Sequence, residues 1–147
     1  MRSVPEMMHG WRIAFIAILV SVTGVRAAAC AELLNPLTAN ELVSSGKLAV
    51  VDLRTAEERS VPGIPQGSIW IEWRGVTEGQ SFIDALTAAQ PDKSAPVAFI
   101  CSVGHRSGQA ARLAERSGYR QVFDIAEGVN GSMLGPGWKL WGLAMQR

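Results

Sequence analysis

The stretch CSVGHRS, residues 101 to 107, places a thiol, an imidazole and a guanidinium within six positions. Cys101 follows the apolar run APVAFI, and its loop CSVGHRSG leads straight into QAARLAERSG, which reads as a helix. A thiol therefore lies where a buried strand hands over to a helix. Gly104 lets the backbone curl, so the N–H groups of Ser102, Val103, Gly104, His105, Arg106 and Ser107 can turn inward on the sulfur. Such a nest, with the helix amino terminus behind it, stabilises negative charge at its centre. Arg106 and His105 add positive potential. The arrangement favours a thiolate, which makes Cys101 a candidate for covalent catalysis. A cysteine ending a strand can equally be a small buried hydrophobe, so the local pattern leaves both roles open.

Other chemistries find little support. The chain has two cysteines, Cys30 and Cys101, with no CxxC redox pair, and its histidines are His9 and His105. His9 falls in an amino-terminal leader, which leaves one histidine and no metal-ligand set; no cofactor is implied. A Cys–His–Asn hydrolase would need its base in the same loop as its nucleophile, a poor geometry. The formal net charge is +1 over 147 residues, with no basic block, so nucleic acid is not an expected partner.

The elements that must position Cys101 follow from hydrophobic patterning and breakers. NPLTANELVSSGK reads as a short helix with Thr38 as N-cap, Glu41 three residues on and Gly46 as the stop. LAVVDL is a buried strand, RTAEERS one helical turn, VPGIPQGS a loop and SIWIEW an alternating strand. SFIDALTAAQ reads as a helix capped by Ser81, PVAFIC as a second buried strand, and residues 106 to 116 as a helix closed by Gly118. RQVFDI is a further strand, AEGVNGSMLGPG a glycine-rich loop and WKLWGLAMQR a terminal helix. Strands alternating with helices predict an α/β domain, a mostly parallel central sheet flanked by helices. Ligands of such sheets bind outside the carboxyl ends of the strands, where Cys101 stands.

Residues 1–31 read differently from the rest. Arg2 and Arg12 precede the apolar run from Ile13 to Val25, and RAAACAE supplies small residues after it. The order basic, apolar, small predicts an export signal cleaved after Ala29 or Ala31, with one domain over residues 32–147 and a bacterial periplasmic location. The run falls short of the roughly 20 residues that span a bilayer. The alternatives are a retained membrane anchor and a lipoprotein signal ending before Cys30, with that cysteine lipidated. Removal or lipidation of Cys30 leaves Cys101 without a disulfide partner, an anomaly for an exported thiol.

CSVGHRSGQAARLAERSGYRQVFDIAEGVNG resembles the active-site segment of the rhodanese superfamily, whose members end a strand with a cysteine-led anion-binding loop. VVDLRTAEERSVPGIPQGSI is similar to the family's amino-terminal signature, with Asp52, Arg54, Glu58, Gly67 and Ser68 at the matching positions. EGVNGS and GPGWKLWGL resemble its glycine turn and closing Gly-Trp helix. The resemblance runs from about Leu37 to the end.

It implies a rhodanese-like fold and a sulfurtransferase in which Cys101 accepts a sulfane sulfur from a small donor, such as thiosulfate or a persulfide. A thiophilic acceptor then removes it. Ser102, Val103, Gly104, His105, Arg106 and Ser107 would form the substrate cradle, and Asp52, Arg54 and Glu58 would tie loops to the sheet. Trp70, Trp73, Trp138 and Trp141 are expected in the core or a pocket wall. Relatives that act as phosphatases or arsenate reductases have arginine six positions after the cysteine; here the sixth position is Ser107 and Arg106 is the fifth. The shorter loop suits a single sulfur. Ser102 and Val103 stand where active members often carry basic or polar groups, which leaves less positive charge for thiosulfate and keeps a non-catalytic protein-binding module as the rival reading.

Overall fold

The computed structural model describes residues 31–60 and 62–147. The expected export signal, but for Ala31, and Cys30 lie outside them. The chain runs β1 (Glu32–Leu33), α1 (Pro36–Ser44), β2 (Ala49–Asp52), α2 (Ala56–Ser60), β3 (Ile64–Pro65) and β4 (Ile69–Trp70). A 3₁₀ turn over Val76–Glu78 leads into α3 (Gly79–Ala89), then β5 (Val97–Ile100), α4 (His105–Arg116), β6 (Val122–Asp124), α5 (Gly137–Leu140) and β7 (Met145–Gln146).

Five strands form one parallel sheet in the order β1-β6-β5-β2-β4. The strand β5, and β2 as far as Val51, are apolar runs because both faces are covered. Side chains alternate across a strand, so each run feeds two cores. Val51, Leu53, Val97, Phe99 and Cys101 pack with Trp73, Phe82, Leu86, Ala110 and Ala114 on the α3–α4 side. Val50, Ala98 and Ile100 pack with Ala39, Ile125, Val129 and Trp138 on the α1–α5 side. Cys101 shares the parity of Val97 and Phe99, which turns its side chain toward the start of α4.

The mostly parallel sheet flanked by helices is as the sequence predicts, but several boundaries differ. Asn35, not Thr38, caps α1: its side chain accepts the Leu37 N–H at 2.7 Å, and Pro36 occupies the first turn. α3 begins at Gly79, two residues before Ser81, whose hydroxyl donates to the Glu78 carbonyl at 2.9 Å from inside the first turn. SIWIEW keeps only two residues of strand, because the chain turns Trp73, fully buried, into the core. The terminal helix is four residues long. After it the chain extends and pairs Met145 and Gln146 antiparallel with Pro65 and Ile64, giving the proline-rich loop a strand partner.

Candidate active site

Cys101 is free and 1% exposed, at the carboxyl end of β5. The next three residues turn sharply, and Gly104 adopts a left-handed φ of 86°. That conformation favours glycine, and the site demands it twice over, since an added Cβ would collide with the Ala126 carbonyl oxygen. The opposing loop makes the same demand. Gly128 has φ 70°, and a Cβ there would lie 2.5 Å from the Ser102 carbonyl oxygen and 2.8 Å from the Val103 nitrogen. The N–H groups of Val129 and Asn130 donate to the carbonyls of Cys101 and Ser102 at 2.8 and 2.9 Å. The glycine-rich loop thus takes up the carbonyls of the cysteine loop.

The N–H groups of Ser102, Val103 and Gly104 donate to no acceptor among the described residues. Those of His105 and Arg106 open α4, where a helix leaves its first N–H groups without intrahelical partners. The side chains divide. Ser107 is buried, with its hydroxyl oxygen 3.9 Å from the Cys101 sulfur and donating to the Gly104 carbonyl at 3.0 Å. Val103 is exposed, and the exposed His105 ring meets Gln109 on its own helix, 3.5 Å away. Ser102 Oγ accepts from the Asn130 amide at 2.7 Å, and the exposed Lys139 ammonium reaches Asn130 Oδ1 at 3.4 Å. Asn130 and Lys139 were not among the sequence candidates; a polar residue inside a glycine turn is the only local sign of the first.

Arg106 does not carry a free charge. Its guanidinium is 2.5 Å from Glu58 Oε1, whose other oxygen accepts the Thr55 N–H at 2.9 Å. Burial pushes the Glu58 carboxyl up, but the Arg106 hydrogen bond and charge and the Thr55 N–H more than offset it, leaving it below the ordinary 4.5. Burial likewise works against the Arg106 cation, and Glu58, with smaller help from Cys101 and Asp52, overcomes it and holds the proton tighter. The sequence reading set Arg106 in the cradle and Glu58 among the structural ties. The structure brings the two together across 48 positions.

Asp52 and Arg54 form a wholly buried pair at the end of β2, 2.7 Å apart. Arg54 also donates to the carbonyls of Gly63 at 2.6 Å and Glu58 at 3.4 Å, so it fastens α2, and with it Glu58, to the sheet. Apart from its own ion pair, the hydrogen bonds of this buried pair go to neighbouring loops rather than to the sulfur. Of the four tryptophans among the described residues, Trp73 and Trp138 are core. Trp70 and Trp141 are 38% and 40% exposed, with Arg59 stacked on Trp70 at 3.6 Å. No group of three or more His, Cys, Asp or Glu able to hold a metal occurs among the described residues.

A parallel sheet with a cysteine-led loop opening a helix at its carboxyl edge defines a class of protein. The family model for the rhodanese-like domain matches residues 29–133, and the chain belongs to that family. An uncharacterized protein of Rickettsia conorii is 32% identical over 104 residues, which is 67% of this chain and 82% of that one. The polysulfide-sulfur transferase homodimer of Wolinella succinogenes superposes with a TM-score of 0.63 at 19% identity, covering 81% of this chain and 80% of that one. A human single-domain sulfurtransferase superposes with a TM-score of 0.54 at 26% identity, covering 67% of this chain and 91% of that one.

Proposed function

We propose that the protein is a sulfurtransferase that carries a sulfane sulfur on Cys101. The observation that supports this best is a free cysteine at the floor of a short loop whose first N–H groups have no acceptor among the described residues. The Cys101 thiolate attacks the outer sulfur of the donor, a sulfur–sulfur bond forms, and the donor's own sulfur bond breaks with its electron pair. With thiosulfate the leaving group is sulfite. The terminal sulfur of the Cys101 persulfide carries the negative charge, and the loop N–H groups face it. A thiophilic acceptor such as cyanide or a thiol then takes that sulfur and returns the thiolate, a double displacement that needs no cofactor. We further propose that the mature protein is exported, on the basic, apolar and small order of residues 1–31.

Incubation of the mature protein with thiosulfate, and separately with a persulfide donor, followed by mass spectrometry tests the reading. A gain of one sulfur on wild type and none on Cys101→Ser is expected, with circular dichroism unchanged. Serine keeps the shape at the strand end, but its hydroxyl is a weak nucleophile, and oxygen cannot form a persulfide. No sulfur gain from any donor, with a protein partner bound equally by both forms, would replace the enzyme with a binding module.

A further inference from the structure

A row of polar side chains runs from the cysteine loop through the glycine turn to α5, and the sulfur-transfer steps make no use of it. The Asn130 amide donates to Ser102 Oγ at 2.7 Å, and the Lys139 ammonium donates to Asn130 Oδ1 at 3.4 Å. Backbone bonds hold the three in place. The Asn130 N–H donates to the Ser102 carbonyl at 2.9 Å, and the Lys139 N–H to the Val129 carbonyl at 3.1 Å. The buried Trp138 anchors α5 one residue before the lysine. Lys139 itself is exposed, and no carboxylate lies within ion-pair distance of it among the described residues. Arg106, by contrast, has its charge taken up by Glu58. The loop rim therefore draws its uncompensated positive charge from outside the loop.

The row has a direction. An ammonium only donates, so it draws the carbonyl oxygen of the Asn130 amide toward itself and leaves the amide N–H side facing Ser102. Ser102 Oγ accepts that N–H, and its own proton goes to no acceptor among the described residues. With the amide turned the other way, Oδ1 would take that proton. Ser102 directly follows the nucleophile in the chain. We propose that Lys139 and Asn130 are positioning residues that hold the Ser102 hydroxyl as a donor toward the anionic end of the sulfur donor. The inference rests on the sulfur-transfer reading and narrows it to donors whose leaving group is an oxygen-bearing anion, as the sulfite end of thiosulfate is. The bond from Cys101 to the outer sulfur forms while the bond from that sulfur to sulfite breaks with its electron pair. Charge gathers on the departing anion, and the Ser102 O–H hydrogen-bonds to it without giving up its proton.

Alkylation of Cys101 tests the row without any sulfur donor. Iodoacetate carries a carboxylate where iodoacetamide carries a neutral amide of nearly the same size, and at one pH the ratio of their rates is independent of the thiolate fraction. Ser102→Ala is expected to lower the ratio of iodoacetate to iodoacetamide about threefold, and Lys139→Met about as much. Lys139→Arg, which also only donates, should stay within about 1.5-fold of wild type. In a Ser102→Ala background Lys139→Met should change the ratio by less than about 1.5-fold, because the lysine acts through the hydroxyl. An unchanged ratio in Ser102→Ala overturns the proposal. So does an equal fall for Lys139→Met in both backgrounds, which would make the lysine a bare charge. If wild type takes no sulfur from any donor while the ratios behave as stated, the enzyme reading falls and the hydroxyl stands as an anion donor. If wild type takes sulfur from thiosulfate and the ratios do not move, the row falls and the enzyme stands.

Discussion

Removing the Arg106 guanidinium should damage the site chiefly by exposing Glu58. In the wild type the two side chains form a neutral pair, with the Arg106 and Glu58 side chains 20% and 32% exposed. Arg106→Ala turns that pair into a lone carboxylate beside the cysteine loop, and Glu58→Gln turns it into a lone cation. At an effective dielectric of about 20, a unit charge about 8 Å from a reacting anion is worth about 2 kcal/mol. Partial exposure screens this to about 1 kcal/mol, or about fivefold in kcat/KM. With thiosulfate as donor and cyanide as acceptor, Arg106→Ala should lose about fivefold and Glu58→Gln should gain about as much. The double variant should return to within about twofold of wild type, since the local charge is again zero. Each single variant should also lose about 1–2 kcal/mol of stability through the broken charge-assisted hydrogen bond, read by urea denaturation, and the kinetics are compared well below the transition. A double variant no better than Arg106→Ala would refute this account and show Arg106 to be an anion clamp in its own right.

Gly104→Ala should cost at least about 3 kcal/mol, combining the left-handed φ with the clash at Ala126. Gly46→Ala, at φ 69° with open space around it, should cost only about 1 kcal/mol; denaturation midpoints of the two decide whether the clash matters. The acid limb of stability should also be assignable. Glu58 is held below 4.5, so its contribution is present above that value and fades as pH falls through the depressed one. The stability gap between wild type and Glu58→Gln should therefore close on acidification. Asp124, held above 3.8 by burial, works in the opposite sense: Asp124→Asn should gain on wild type as pH rises through the elevated value. Denaturation midpoints from neutral to acid pH test both, and a constant gap in either series contradicts the assignment.

Much of the frame was readable along the chain. LAVV and PVAFIC are apolar without interruption, which only a strand covered on both faces tolerates, and period-two alternation then places Cys101 on the same side as Val97 and Phe99. Gly104 announces a turn that only glycine makes well. A thiol at the carboxyl end of a buried strand, with a helix starting behind it, follows from residues 97 to 116 alone. These signals are local: they fix backbone torsions and periodicity over a few residues. Contacts across long separations leave no such mark. Glu58 meets Arg106 because Arg54 fastens α2 to Gly63 and to the sheet. Gly128 presses on Ser102 because β6 lies beside β5. Met145 and Gln146 become a strand only where Ile64 and Pro65 offer free backbone groups. Asp124 comes under α4 for the same reason. One polar residue ending a strand says nothing by itself about which helix will cover it, and it was the packing of α4 over β6, with glycine at 108, that set a buried acid under the first turn of that helix.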